Sequence, residues 1–151
     1  MHKARVRTLL ALVSGMPSLT ANPSLQKIRD EFAEVYAVRK VRRATRRRVL
    51  EVLHSTRALD TTLRAFVGHY GCRQPGKPLP NSLGPYLYAL RDHSVAGLGH
   101  FTEAQRLHFY SKIAGPRNQY MHEAGVFPAA DADVQALLSE MHACLSAVAR
   151  L

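Results

Sequence analysis

The chain of 151 residues lacks the features that mark several protein classes. It has two cysteines, Cys72 and Cys144, and neither belongs to a CxxC pair. That excludes a disulfide framework or a cysteine-based zinc site and fits a reducing, cytoplasmic setting. No uninterrupted apolar stretch approaches the ~20 residues a membrane-spanning helix needs. The start is basic and then apolar from Thr8 to Val13, the order of an export signal. The apolar run is short, however, Pro17 and Pro23 follow, and no small-x-small site closes it. It reads as a first amphipathic helix. Strand signals are missing too: β-branched residues do not alternate with polar ones, and there is no Asn-Gly or Asp-Gly turn. Acidic residues are scarce, 11 against 21 Lys plus Arg, for a net charge of +10. A surplus of that size points to a polyanionic partner, RNA or DNA first.

What is present is helical periodicity over most of one domain, which is long enough to bury a core without metal or disulfide. A first helix is expected from Lys3 to Ser14, ended by Gly15 and Pro17. Asn22-Pro23-Ser24 is a start signal. From Ser24 to Tyr70 the apolar positions step by three and four, through Ile28, Phe32 and Val35 and later Val52, Leu59, Leu63 and Phe66. This is either one very long helix or two with a bend near Arg42 to Thr45. Residues 71–83 contain Pro75, Pro78 and Pro80 and form a loop. Further helices are expected from Pro85 to His93 and from Thr102 to Ala114. Gly115-Pro116 either kinks the latter or begins a new segment carrying Arg117 to Ala124. Gly125 and Pro128 end it, and a last amphipathic helix runs from Ala130 to Arg150.

Several constellations invite a chemical reading. Gly71 to Lys77 has the spacing of a phosphate-binding loop up to its lysine. Pro78 then stands where a Ser or Thr should be, and the segment ahead is helical, so that reading fails. The eight histidines show neither HxxxH nor HExxH spacing, and neither a metal nor any other cofactor is expected. Between positions 39 and 48 lie seven cations, Arg39, Lys40, Arg42, Arg43, Arg46, Arg47 and Arg48. On a helix they would project around most of the circumference as a phosphate-tracking surface; the plainer alternative is a solvated face with carboxylate partners elsewhere.

Arg117-Asn118-Gln119-Tyr120-Met121-His122 offers more. At about 100° per residue Asn118 and His122 share a helical face, and the long Arg117 side chain can swing towards it. A fixed cation, an amide and a titratable imidazole are the groups RNA cleavage uses. The imidazole moves protons and the guanidinium stabilises the crowded phosphate.

The stretch Ile113 to Gly125, with Arg-Asn-x-x-x-His at its centre, resembles the signature of the HEPN superfamily, and the helix around His54 to Leu63 is similar to the one that packs beside that motif. The resemblance covers residues 24–150 and is most specific over about fifteen of them. It implies an all-α, up-and-down bundle of four to five helices. It also implies a homodimer with a composite active site and metal-independent endoribonuclease activity leaving a 2′,3′-cyclic phosphate. Arg117 would stabilise the phosphate, His122 act as acid or base, and Asn118 orient them, with Asp60 placed to buttress Arg117. Members include toxins with antitoxin partners, phage-defence effectors and RNA-processing enzymes. The tyrosine that follows the histidine in one toxin branch is absent, since position 124 is Ala. A non-catalytic RNA-binding or adaptor protein is the other expectation.

Overall fold

The computed structural model describes residues 2–151, with His2 as backbone only. All regular structure among them is helical. The helices are α1 (His2–Ser14), α2 (Ser24–Ala37), α3 (Ala44–Tyr70), α4 (Leu83–Asp92), α5 (Glu103–Phe109), α6 (Gly115–His122) and α7 (Asp131–Val148), with short 3₁₀ turns at Pro17–Leu19 and Val38–Lys40. The expected helical bundle is present. None of these helices is long and apolar enough to cross a membrane. Cys72 and Cys144 are both buried and unbridged.

The long periodic segment is two helices, not one. Arg39–Glu51, Glu31–His54 and Glu31–Arg57 contacts show that α2 and α3 run antiparallel, since one partner's number falls as the other's rises. The chain turns where the cations are densest. Lys40 closes the 3₁₀ turn, and Val41 and Arg43 adopt extended backbone before Ala44 starts α3. A continuous helix would stack like charges at three- and four-residue spacing, and the turn separates them.

α3 is the central element and touches α2, α4, α6 and α7. Val52, Ala58, Leu59, Leu63 and Val67 are almost wholly buried along it. Buried Thr56 and Thr62 satisfy their hydroxyls on the carbonyls four residues back, at 2.7 and 2.8 Å. The helix stops at Gly71, whose φ of 71° is left-handed and whose N–H donates to the Val67 carbonyl. Only glycine takes that conformation without strain.

Residues 103–122 form one rod with a defect. The Thr102 hydroxyl and Gln105 side chain close a capping box at its start. Pro116 has no N–H and its ring would collide with the carbonyl of residue 112 in an ordinary helix. A single π turn over Tyr110–Ala114 widens the path, with the Gly115 N–H donating to the Tyr110 carbonyl. Gly115-Pro116 therefore neither breaks nor sharply ends the helix; it re-phases it. Counted as rods, the described residues form six helices, against the four to five expected. α6 ends at His122, two residues earlier than expected, and α4 begins at Leu83, two earlier than Pro85.

His93 closes the end of α4. It is 3% exposed, its Nε2 donates to the Gly99 carbonyl at 2.8 Å, and its Nδ1 accepts from the Val95 N–H at 3.2 Å. The ring stacks on His100 with centroids 4.0 Å apart. Burial pushes the His93 pKa below the ordinary 6.5, the Gly99 bond works the other way, and His100 adds to the depression. The unfolded chain thus takes up the proton more readily. Stability from His93 is complete above the ordinary imidazole range and is lost as pH falls through it towards the lower folded value. Thermal melts should show Tm falling between pH 7.5 and pH 5, by on the order of a few degrees, and the fall should be shallower in His93→Gln.

Candidate active site

An open cleft of about 810 Å³ lies between α2, α3, the start of α4, and the rod carrying the π turn and α6. Each wall has a local cause. On α3, Arg57, Asp60, Thr61 and Arg64 follow three- and four-residue spacing, which places them in one stripe. The opposite wall carries Tyr110, Arg117 and Asn118, brought together by the π turn.

Two of the three motif residues enter this cleft. Arg117 Nη1 donates to the Asn118 side-chain oxygen at 3.0 Å, and no carboxylate pairs with Arg117 among the described residues. His122 does not line the cleft. It is exposed at the last position of α6, about 6 Å beyond Asn118 along the helix axis. The motif is helical from end to end, yet within one chain its imidazole stands outside the cavity that its guanidinium enters.

Asp60 lies opposite. Burial raises its pKa, and the charges of Arg64 and Arg117 partly offset that. Arg117 is therefore close enough to Asp60 for its charge to act there. Arg64 is fixed more tightly: Nε donates to the Tyr86 hydroxyl at 3.0 Å, and Nη2 reaches Asp60 at 3.3 Å and the Asn81 carbonyl at 3.4 Å. Glu31 bridges His54 Nδ1 at 2.8 Å and Arg57 at 2.9 Å, joining α2 to α3 along the rim. Tyr88, on the cleft wall, is held by the Arg106 guanidinium 4.4 Å from its ring centroid. Arg106 and Arg91 both bind Glu103, holding its carboxyl down at about 2. No group of three or more His, Cys, Asp or Glu among the described residues is arranged to hold a metal ion.

The cationic run does not form a helical face. Arg39 and Lys40 sit on the 3₁₀ turn, Arg42 and Arg43 in extended chain, and Arg46, Arg47 and Arg48 in the first turns of α3. Arg48 binds Asp131 at 2.7 Å and the Ala129 carbonyl at 2.7 Å. Arg47 binds Asp131 at 3.2 Å, and Arg39 pairs with buried Glu51 at 3.4 Å. Arg39 thus ties the α2–α3 turn to α3, and Arg47 and Arg48 tie the start of α3 to the start of α7. Lys40, Arg42, Arg43 and Arg46 are exposed, with no hydrogen bond or ion pair among the described residues.

Lys27, Arg57, Arg64, Tyr88 and Tyr110 were not singled out by motif. The polar spacing 57, 60, 61, 64 in an otherwise buried helix is the sequence signal for the α3 wall. The tyrosines carry no comparable signal. Comparisons with protein families, curated proteins and solved structures returned no match for this chain.

Asp131→Ala should release Arg47 and Arg48 and remove a carboxylate from the first turn of α7. The expected cost is roughly 0.5–1.5 kcal/mol, measured by urea unfolding. The loss should shrink in high salt, because Asp131 is exposed.

Proposed function

We propose that this protein is a metal-independent endoribonuclease of the HEPN type, acting as a homodimer with a composite site. The observation that carries the reading is Arg117 with Asn118 in a cleft, with no carboxylate paired to it among the described residues, while His122 stands exposed four residues further along from Asn118 on the same helix. A guanidinium in that state is available to a phosphodiester, which it can bind bidentately. The exposed imidazole of a second copy supplies the proton-transfer group that the cleft of one chain lacks.

In the proposed reaction the RNA 2′-hydroxyl oxygen attacks the adjacent phosphorus and the bond to the 5′-oxygen breaks. A base takes the 2′ proton, an acid gives one to the leaving 5′-oxygen, and the products are a 2′,3′-cyclic phosphate and a 5′-hydroxyl. Arg117 offsets the charge that develops on the non-bridging oxygens. His122, whose imidazole can give or take a proton, fills the acid or base role. Asn118 orients Arg117 through the 3.0 Å hydrogen bond. A role as toxin, defence effector or RNA-processing enzyme belongs to the same proposal. Asp60 is a positioning residue for Arg117, acting through charge across the cleft.

A second reading has its own support. Lys40, Arg42, Arg43 and Arg46, exposed and with no ion pair among the described residues, form a cationic patch able to track phosphates without any chemistry. On that reading the protein binds RNA or serves as an adaptor, and binding weakens steeply with salt.

Incubating the protein with mixed tRNA in EDTA separates the two. The nuclease reading expects fragments ending in cyclic phosphate, with rates reduced by about 10²-fold or more in Arg117→Ala and in His122→Ala. Mixing the two inactive variants should restore part of the activity, because one heterodimer site keeps the arginine of one chain and the histidine of the other. Equal cleavage by wild type and both variants would overturn the assignment. Salt-sensitive binding without cleavage, indifferent to His122→Ala, would favour the binding module.

A further inference from the structure

The cleft contains more than the motif requires. Tyr110 is 43% exposed on its wall, an unusual place for a large ring with a helix on either side in sequence. The ring is nonetheless located. A methyl group at Gly84 would stand 3.2 Å from its Cε2, so the absence of a side chain there lets the ring rest against the first turn of α4. An aromatic ring resting against a helix and partly open to the cleft is a platform for a planar base, whose stacking is tolerant of base identity.

The charges in the same cleft are nearly balanced. Lys27, Arg57, Arg64 and Arg117 face Asp30, Glu31 and Asp60, and two of those carboxylates are already bridged to Arg57 and Arg64. A bare anion therefore meets little net attraction. A ligand that adds a flat ring to its phosphate would gain from both walls.

From these observations we infer that the cleft seats one nucleotide unit, its base on the Tyr110 ring and its phosphate between Arg117 and Arg64. This deepens the nuclease reading by naming the unit the cleft recognises, and it rests on that reading for the polymer to which the nucleotide belongs. The cavity volume of about 810 Å³ is ample for a base, ribose and phosphate, small-molecule sites commonly running from about 300 to 1,000 Å³. Arg64 is preorganised by Tyr86 and Asn81, so little side-chain freedom is lost when it meets the phosphate.

Calorimetric titrations with adenosine 3′-monophosphate, adenosine and inorganic phosphate test the seat directly. The nucleotide should bind more tightly than either fragment. Tyr110→Ala should weaken it by about tenfold or more, Tyr110→Phe should leave it unchanged, and Arg117→Ala should also weaken it. Should Tyr110→Ala fail to fold, Tyr110→Leu serves instead, since it keeps apolar bulk, removes the planar face and should lower affinity in the same direction. Inorganic phosphate binding as tightly as the nucleotide, or nucleotide affinity untouched when the ring is removed, would overturn the inference. Nucleotide bound as expected with no RNA cleaved by the wild type removes the nuclease reading and leaves the seat. RNA cleaved normally by Tyr110→Ala, with nucleotide affinity unchanged, does the reverse.

Discussion

Carboxylates are the limiting component of this molecule, and their placement determines which cations are structural and which remain open to a ligand. With 11 acidic side chains against 21 Lys and Arg, the cations cannot all be paired one to one. Those that have one sit where helices meet. Glu31 and Glu51 join α2 and its turn to α3, Asp131 joins the start of α3 to α7, and Glu103 joins α4 to α5. Glu51 is the extreme case, at 2% exposure; burial raises its pKa, and Arg39, Arg47 and Arg48 hold it back. Among the cations left over, Lys40, Arg42, Arg43 and Arg46 cluster around the α2–α3 turn, and Lys27 and Arg117 line the cleft.

That division explains why a run of seven cations does not act as a unit. Neighbours in sequence, Arg46 and Arg47, have opposite fates because one points to solvent and the other reaches a carboxylate 84 residues away. Pairing at that separation has no local signature, so a sequence can show the density of charge without showing its division. The cleft is similar. Arg57, Asp60 and Arg64 form a visible stripe on α3, while their meeting with Tyr110 and Arg117 depends on how a later rod is phased.

Features governed by local chemistry were readable in advance. The prolines at 75, 78 and 80 forbid regular structure, Thr102 opens a helix, and the apolar spacing of α7 buries Val134, Leu138, Met141 and Leu145. The division of residues 24–70 was left open by periodicity, since the apolar steps continue on both sides of the break. Repulsion among like charges and the ion pairs of Arg39, Arg47 and Arg48 decide it. The motif itself was legible as a helix with Arg117, Asn118 and His122 in register. Its separation between cleft and surface was not, because the one-turn distance from Asn118 to His122 says nothing about where the cavity ends.

The π turn at Tyr110–Ala114 makes the direction of Arg117 a matter of residue count as well as residue type. Forcing the same residues into uniform α geometry would rotate everything beyond them by about 100°. The guanidinium would leave the cleft with its chemical identity intact. The wider turn thus absorbs one residue of length and so holds Arg117 in phase with the cavity.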